Sequence, residues 1–221
     1  MRRIIRNPIS DKTCKQLKEK SKIKFKLSKY QRKEIEKNLF KSQKHLCCYC
    51  ECRIDDTNKH IEHFLDQETN KDRIYDYNNM FLSCDGGTYS NNENNRQEII
   101  TCGHRKGIKQ NQDKITYNLL LNPAEEETFS FFEYIDGLIM PSKICSKKEK
   151  VKVTYTIKTL FLDSKRLKNA RIEAIIQLAK DISLLTDNEK KLFIEDVLNE
   201  EQECLPQFFS TLKDNFSFLL R

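Results

Sequence analysis

The chain has 221 residues, of which 33% are charged and 38% hydrophobic, and its formal net charge is +7. No segment approaches the run of about 20 apolar residues that a membrane-spanning helix needs, and the basic N-terminus lacks the apolar core of a secretory signal. These features predict a cytoplasmic protein without a membrane segment. Thiols stay reduced in that compartment, and an odd count of nine cysteines argues against a closed disulfide framework.

Residues 1–44 are predicted to form a basic helical arm. Residues 1–13 are expected to be extended, because Pro8 discourages an early helix. One or two helices are predicted over residues 14–44, and the second, from about Ser28, carries Ile35 and Leu39 on one face with Lys and Arg on the other.

Positive charge is concentrated in this arm. Residues 1–46 hold sixteen Lys and Arg but only four Asp and Glu. Such a segment suits a polyanion, and nucleic acid is the simplest partner of that kind. A solvated lysine-rich helix explains the same composition equally well.

Residues 45–114 are predicted to be the functional core. All four histidines and six of the nine cysteines lie between His45 and Gly107. Clustering of these residue types with a few acids is what a metal site requires. The polar, Gly- and Asn-rich stretch from Asp85 to Gln97 predicts a loop within this core.

Residues 115–221 are predicted to form a β-hairpin connection and a helical C-terminal region. Strands are expected over residues 115–160, with a hairpin turn at Asp136-Gly137 and a β-branched strand over residues 152–157. Helical spacing predicts three helices from Asp163 onward, the last of them after Pro206. The candidate N-caps of the first two helices are Asp163 or Ser164 and Asp187 or Asn188. Phe208, Phe209, Phe216 and Phe218 offer a docking surface, although internal packing explains most of these rings.

The cysteine spacing predicts a structural Zn²⁺ site. Cys47 and Cys50 have the two-residue gap that lets two thiolates reach one ion. Cys84 and Cys102 are the natural second pair, because adjacent glycines permit the tight turns of a ligand loop. The alternatives to these ligands are Cys48, Cys52 and His45. A redox role for the CxxC pair is less well supported, since no strand–CxxC–helix pattern surrounds it.

Glu62 and His63 form a carboxylate–imidazole doublet. An imidazole beside a carboxylate supplies a general base near neutral pH. The two side chains would point to opposite sides of an ideal strand, so a twist or bulge would be needed to bring both to one site.

Together, the segments CCYCE, HIEHF, YDYNNMFLSCDGG and CGHRKG resemble the HNH endonuclease family over residues 45–107. More narrowly, they are similar to the PtuB-type HNH subunits of Septu antiphage systems and to chains that accompany some retron systems. The resemblance implies an α+β fold in which a zinc-braced ββα-metal core follows the basic helical arm and precedes the mostly helical C-terminal part. It also implies endonuclease activity on DNA or RNA, in antiphage defence and together with an ABC-type ATPase.

The resemblance also implies a role for each matching residue. His63 is expected to be the general base, and Asn79, with Asn78 as the alternative, to hold the loop that orients it. Glu62 and His104 are expected to bind a catalytic Mg²⁺ or Mn²⁺. Arg105 and Lys106 are expected to meet the substrate backbone. An alternative function is that of a zinc-stabilised nucleic-acid-binding module without catalysis, although such a module has no need of the four catalytic residues.

Overall fold

The structure is a computed structural model that describes residues 1–20, 24–88, 100–108, 115–125 and 130–221. The fold is α+β. The described helices are α1 (Asp11–Lys18), α2 (Lys29–Gln43), α3 (Cys102–Lys106), α4 (Lys147–Leu160), α5 (Lys165–Ile182), α6 (Asp187–Val197) and α7 (Phe209–Phe216), with short 3₁₀ turns at Lys71–Arg73, Tyr77–Asn79 and Ser217–Leu220. Strands β1 (Lys59–His63) and β2 (Met80–Cys84) form one antiparallel sheet, and β3 (Phe132–Ile135) and β4 (Leu138–Pro141) form another. The predicted loop from Asp85 to Gln97 lies mostly outside the described residues.

The N-terminal arm folds into α1 and α2. Helix α1 begins three residues earlier than predicted, because the Ser10 hydroxyl accepts a hydrogen bond from Thr13 N and caps its first turn. Helix α2 begins where the sequence predicted, with a capping box between Ser28 and Gln31. Its Ile35 and Leu39 are fully buried, so the predicted apolar face is confirmed.

The sheet of β1 and β2 carries the candidate site and is anchored to α2. Pairing runs without an extra residue from Lys59 opposite Cys84 to His63 opposite Met80. The buried Gln43 side chain accepts a hydrogen bond from Leu82 N at 2.7 Å and donates one to Leu82 O at 2.8 Å. These two bonds satisfy backbone groups of β2 on the edge away from β1. Helix α3 packs on the same strand, so the unit consists of two antiparallel strands and one short helix.

Residues 152–157 are helical, so the predicted strand there is wrong. They lie within α4, which begins with a capping box between Ser146 and Glu149. The residues that α4 buries have helical spacing: Val153, Thr156, Ile157 and Leu160. Packing of this face against the core overrides the preference of β-branched residues for strands.

The predicted hairpin is confirmed at Asp136 and Gly137, whose φ angles of 49° and 74° give the left-handed turn that such hairpins favour. Ser164 caps α5 as predicted. The cap of α6 is Thr186, one residue before the predicted candidates, because its hydroxyl and the Glu189 carboxylate form a capping box.

The hydrophobic core joins all three predicted segments of the chain. One cluster contains Met1 from the arm, Tyr49 from the central segment and Leu160 from the C-terminal part. A second cluster packs α5, α6 and α7 together. Of the four aromatic rings proposed for docking, Phe208, Phe209 and Phe216 are buried and Phe218 is 61% exposed. Among the described residues, every helix is too short or too polar to cross a membrane.

Candidate metal and catalytic site

Four thiols converge at the end of the β1–β2 sheet. The sulfur atoms of Cys47, Cys50, Cys52 and Cys84 all lie within 4.8 Å of one another, and the Cys50 and Cys84 sulfurs are 3.8 Å apart. A tetrahedral zinc ion with bonds of about 2.3 Å places its sulfur ligands about 3.8 Å apart. The cluster therefore has the size and the donor atoms that a Zn²⁺ ion needs.

The thiol cluster connects two parts of the chain. Cys47, Cys50 and Cys52 lie in the turn between α2 and β1, which is closed by a hydrogen bond of 2.9 Å from Cys47 N to Cys52 O. Cys84 ends β2, and its backbone N–H donates to the Cys47 sulfur at 3.4 Å. A bound ion would hold this turn against the end of β2.

Three of the four predicted zinc ligands belong to this group, and Cys52 joins them in the place expected for Cys102. Cys102 is nevertheless close, because its side chain hydrogen-bonds to Cys47, Cys50 and Cys84. The hydrogen bond from Cys102 is the main influence that lowers the pKa of Cys50 to about 5, whereas burial raises the pKa of Cys102 itself. Cys52 thus takes the place predicted for Cys102 among the four mutually close thiols, and Cys102 lies next to them.

The two other alternative ligands have different surroundings. Cys48 is buried and hydrogen-bonds to Cys47, and burial raises its pKa well above the ordinary value. The His45 ring packs on Phe40 at a centroid distance of 4.9 Å.

A second cluster joins β1 to α3. His60 and Glu62 point to the same face of β1 because they are two residues apart, and His60 Nε2 lies 3.6 Å from Glu62 Oε2. The His104 ring from α3 lies 4.3 Å from the His60 ring, centroid to centroid. Burial and the neighbouring His60 lower the pKa of His104, which favours the neutral imidazole that binds metals. One carboxylate and two imidazoles therefore meet at this face.

The Glu62 carboxylate is held from its other side by Tyr49 and Lys106. The Tyr49 hydroxyl donates to Oε1 at 3.1 Å, and the Lys106 ammonium forms an ion pair with the same oxygen. Burial alone would raise the pKa of Glu62, but Lys106 and His60 lower it to about 2. The group is thus a fixed carboxylate anion whose Oε2 faces the imidazoles.

Lys106 lies inside the protein rather than at the surface. Besides Glu62, its ammonium donates to the backbone oxygens of His63 and Phe64. In this position it fixes the end of β1, which differs from the expected contact with a substrate backbone. Arg105 is half-buried with its guanidinium 5.0 Å from the centre of the Phe161 ring.

His63 lies at the end of β1 in a defined tautomer. Its Nε2 is 2.8 Å from the carbonyl oxygen of Ile74, and because a carbonyl only accepts, Nε2 carries the proton. Nδ1 is then the basic nitrogen, and it accepts from the amide of Gln67 at 3.0 Å. Burial lowers the pKa of His63 from its ordinary value, which favours the neutral ring.

Asn79 holds the loop that follows His63. Its side chain accepts from Leu65 N at 2.7 Å and donates to Leu65 O at 3.0 Å and to Arg73 O at 3.3 Å. These bonds fix both ends of the segment that brings the Ile74 carbonyl to His63. The contacts are those expected of a loop-holding residue, while a role in catalysis stays a prediction.

The structure therefore contains two groups of polar residues on opposite faces of β1. Glu62, His60 and His104 form one, and His63 with Asn79 forms the other. The pairing of β1 shows no bulge through His63, so the doublet keeps its alternate directions. Lys106 bridges the two groups, since it binds the Glu62 side chain and the His63 carbonyl.

Sequence reasoning missed three contributors to the site, namely His60, Tyr49 and Gln67. The spacing of His60 and Glu62 was a usable signal, because residues two apart in a strand share a face. Tyr49 and Gln67 carry no such signal, since their contacts depend on how distant segments meet. Comparison of the chain with known protein families and with curated proteins finds no match.

Proposed function

We propose that this protein is a metal-dependent endonuclease that hydrolyses phosphodiester bonds of nucleic acid by HNH-type chemistry. The observation that carries the proposal is that Glu62, whose carboxylate faces two imidazoles, and His63, a histidine with a defined basic nitrogen, occupy adjacent positions at the end of β1 and are linked through Lys106. A protein that only binds nucleic acid needs neither group.

Glu62 and His104 are the proposed ligands of the catalytic cation, with His60 beside them. Carboxylate and imidazole donors accept Mg²⁺, Mn²⁺ and other divalent ions. A cation bound there would neutralise charge on the scissile phosphate and stabilise the leaving oxygen. Tyr49 and Lys106 hold Glu62 with one oxygen turned toward the imidazoles, which orients it for this role.

His63 is the proposed general base. Its Nδ1 would take a proton from a water molecule as the water oxygen forms a bond to phosphorus and the bond to the leaving oxygen breaks. The Ile74 carbonyl keeps the proton on Nε2, so that Nδ1 is the nitrogen that accepts. Gln67 covers Nδ1, and its exposed side chain would have to turn away for water to reach the ring.

The thiol cluster is proposed to stabilise this site. Cys84 ends β2, and Cys102 begins the helix that carries His104. A Zn²⁺ ion held by Cys47, Cys50, Cys52 and Cys84 would fix the end of β2, against which Cys102 and the start of α3 lie. The zinc is thus proposed to have a structural role.

The experiment that tests the function is a cleavage assay. The unmodified protein and His63→Ala are incubated with duplex DNA, single-stranded DNA and tRNA, with Mg²⁺ or Mn²⁺ and then with EDTA. His45→Ala is the matched control, because the His45 ring packs on Phe40 and belongs neither to the group of Glu62, His60 and His104 nor to that of His63 and Asn79. Cutting that requires the cation and His63 but not His45 is expected, whereas cutting that survives His63→Ala would reject the proposed base.

From the sequence resemblance, we also propose that the nuclease acts in antiphage defence with an ABC-type ATPase. The exposed Phe218 is a candidate contact. Co-purification of the two proteins with and without Phe218→Ser tests this contact. A complex that is insensitive to the substitution would place the interface elsewhere.

A second candidate function, a zinc-stabilised nucleic-acid-binding module, is favoured by the thiol cluster alone. It predicts tight binding of nucleic acid without cutting under any of the conditions above. If cutting is absent, repeating the assay with the ATPase separates this function from that of a nuclease activated by its partner.

A further inference from the structure

A groove with cationic side chains lies along the helix that carries His104. It is a cavity of about 670 Å³ between α3 and α4, lined among others by Arg105, Lys150, Thr154, Tyr155 and Lys158. Arg105 directly follows His104 in α3, and α3 packs on α4. The groove is therefore continuous with the helix that carries a proposed metal ligand.

The charged side chains described in the lining of this groove are all cationic. Arg105, Lys150 and Lys158 are cationic, and the described residues that line the groove include no Asp or Glu. Helix α4 has five lysines and a single glutamate. That glutamate, Glu149, accepts a hydrogen bond of 2.6 Å from Ser146 N. Its carboxylate is therefore part of the capping box at the start of the helix.

A second groove, on the N-terminal arm, is less suitable for a polyanion. Its lining contains six cationic side chains, but three carboxylates lie among them, those of Glu36, Asp55 and Asp56. Arg32 also pairs with Glu36 at 3.1 Å. Because this lining is mixed in sign and the α4 groove adjoins the helix that carries His104, we favour α4 over the N-terminal arm, to which the sequence had pointed.

The spacing of the lysines fits a phosphate backbone. Lys150, Thr154 and Lys158 lie four residues apart on one exposed face of α4, so the two ammonium groups are anchored about 12 Å apart along the helix. A nucleic-acid strand presents one phosphate per about 3.4 Å of duplex axis. A segment of that length offers several phosphates to the two lysines.

We propose that this groove binds the nucleic-acid backbone next to the scissile phosphate, with Lys150 and Lys158 as phosphate contacts. The inference rests on the proposed nuclease function and specifies where its substrate lies. It assigns the contact with substrate to α4 and Arg105, while Lys106 keeps its internal role beside Glu62.

The test measures binding without cutting. Anisotropy of a labelled duplex DNA and a labelled single-stranded RNA is followed without added Mg²⁺ or Mn²⁺ over a range of salt concentrations, for the unmodified protein and for Lys150→Gln/Lys158→Gln. The control is Lys180→Gln/Lys191→Gln, which removes the same charge from exposed positions of α5 and α6. All four lysines are exposed, so we expect each variant to fold, and thermal unfolding verifies this.

The groove variant is expected to bind at least about tenfold more weakly at low salt, and the slope of log Kd against log salt should fall by roughly 1.8 for two lost phosphate contacts. The control should keep both values near those of the unmodified protein. Equal losses in the two variants, or unchanged binding by the groove variant, would overturn the proposal while leaving the nuclease function intact. Failure of the unmodified protein to bind either nucleic acid would count against the nuclease function itself.

Discussion

Gly103 lies so close to Glu62 that a Cβ atom at residue 103 would be 2.6 Å from Glu62 Oε2 and 2.8 Å from His60 Nε2. The absence of a side chain at this position lets α3 approach β1. Without that approach, the His104 ring could not lie beside His60. Gly103 is thus a steric condition for the cluster of two imidazoles and one carboxylate.

We therefore expect Gly103→Ala to push Glu62 and His60 apart and to weaken Mn²⁺ binding about tenfold or more, with a loss of about 1–3 kcal/mol in stability from overpacking. Calorimetric titration with Mn²⁺ and chemical denaturation measure the two effects. Gly107→Ala is the matched control, because a Cβ there would meet its nearest atom at 3.4 Å and φ is −74°. Equal Mn²⁺ affinity in the two variants would show that Glu62 and His60 do not bind the cation together.

The second prediction concerns the buried ion pair between Lys106 and Glu62, whose side chains are only 5% and 8% exposed. Lys106→Met should lower the free energy of unfolding by about 3–5 kcal/mol, because it leaves a buried carboxylate unpaired. Adding Glu62→Gln removes that charge, so the double variant should be less unstable than the two single effects predict. Urea denaturation of the four proteins completes the cycle, and strict additivity would argue against the pair.

The same pair has a defined pH dependence. Because the pKa of Glu62 is lowered from 4.5 to about 2, the stability that it contributes is fully present above pH 4.5 and is lost as pH falls toward 2. The difference in unfolding free energy between the unmodified protein and Lys106→Met should therefore shrink below pH 4.5. Acid would release zinc from both proteins alike, so its loss cancels in the difference between their unfolding free energies. A difference that stays constant over this range would contradict the low pKa of Glu62.

The zinc site supplies the third test. Cys50→Ser should reduce bound zinc from about one ion per chain to nearly none and should destabilise the fold strongly, since metal binding and folding are coupled. Cys204→Ser is the control, because Cys204 is exposed and outside the cluster. The four mutually close sulfurs further predict that Cys52→Ser releases zinc while Cys102→Ser retains it. The opposite result, measured by metal analysis after purification without added metal, would assign Cys102 as the fourth ligand.

Which features could be predicted from the sequence depends on how local their causes are. The gap between Cys47 and Cys50 and the start of α2 at about Ser28 depend on neighbouring residues, and both predictions agree with the structure. The prediction of a strand over residues 152–157 was wrong, because burial of one helical face stabilises this segment more than the preference of β-branched residues for strands. Cys52 was underestimated because its place among the thiols appears only when the end of β2 meets the turn after α2, whereas the position of His60 two residues before Glu62 was a signal in the sequence.

The last prediction separates two residues that act on His63 in opposite ways. Asn79→Ala removes three hydrogen bonds from the loop that carries the Ile74 carbonyl, so cleavage should fall about tenfold to a hundredfold while Mn²⁺ affinity is kept. Gln67→Ala removes the group that covers Nδ1, so cleavage should be retained or rise. Single-turnover rates and Mn²⁺ titrations of both variants measure this contrast. If Gln67→Ala lowered the cleavage rate as much as Asn79→Ala does, the Gln67 amide would orient the base instead of covering it. If Asn79→Ala lowered the Mn²⁺ affinity, the loop would be coupled to the cation site on the opposite face of β1.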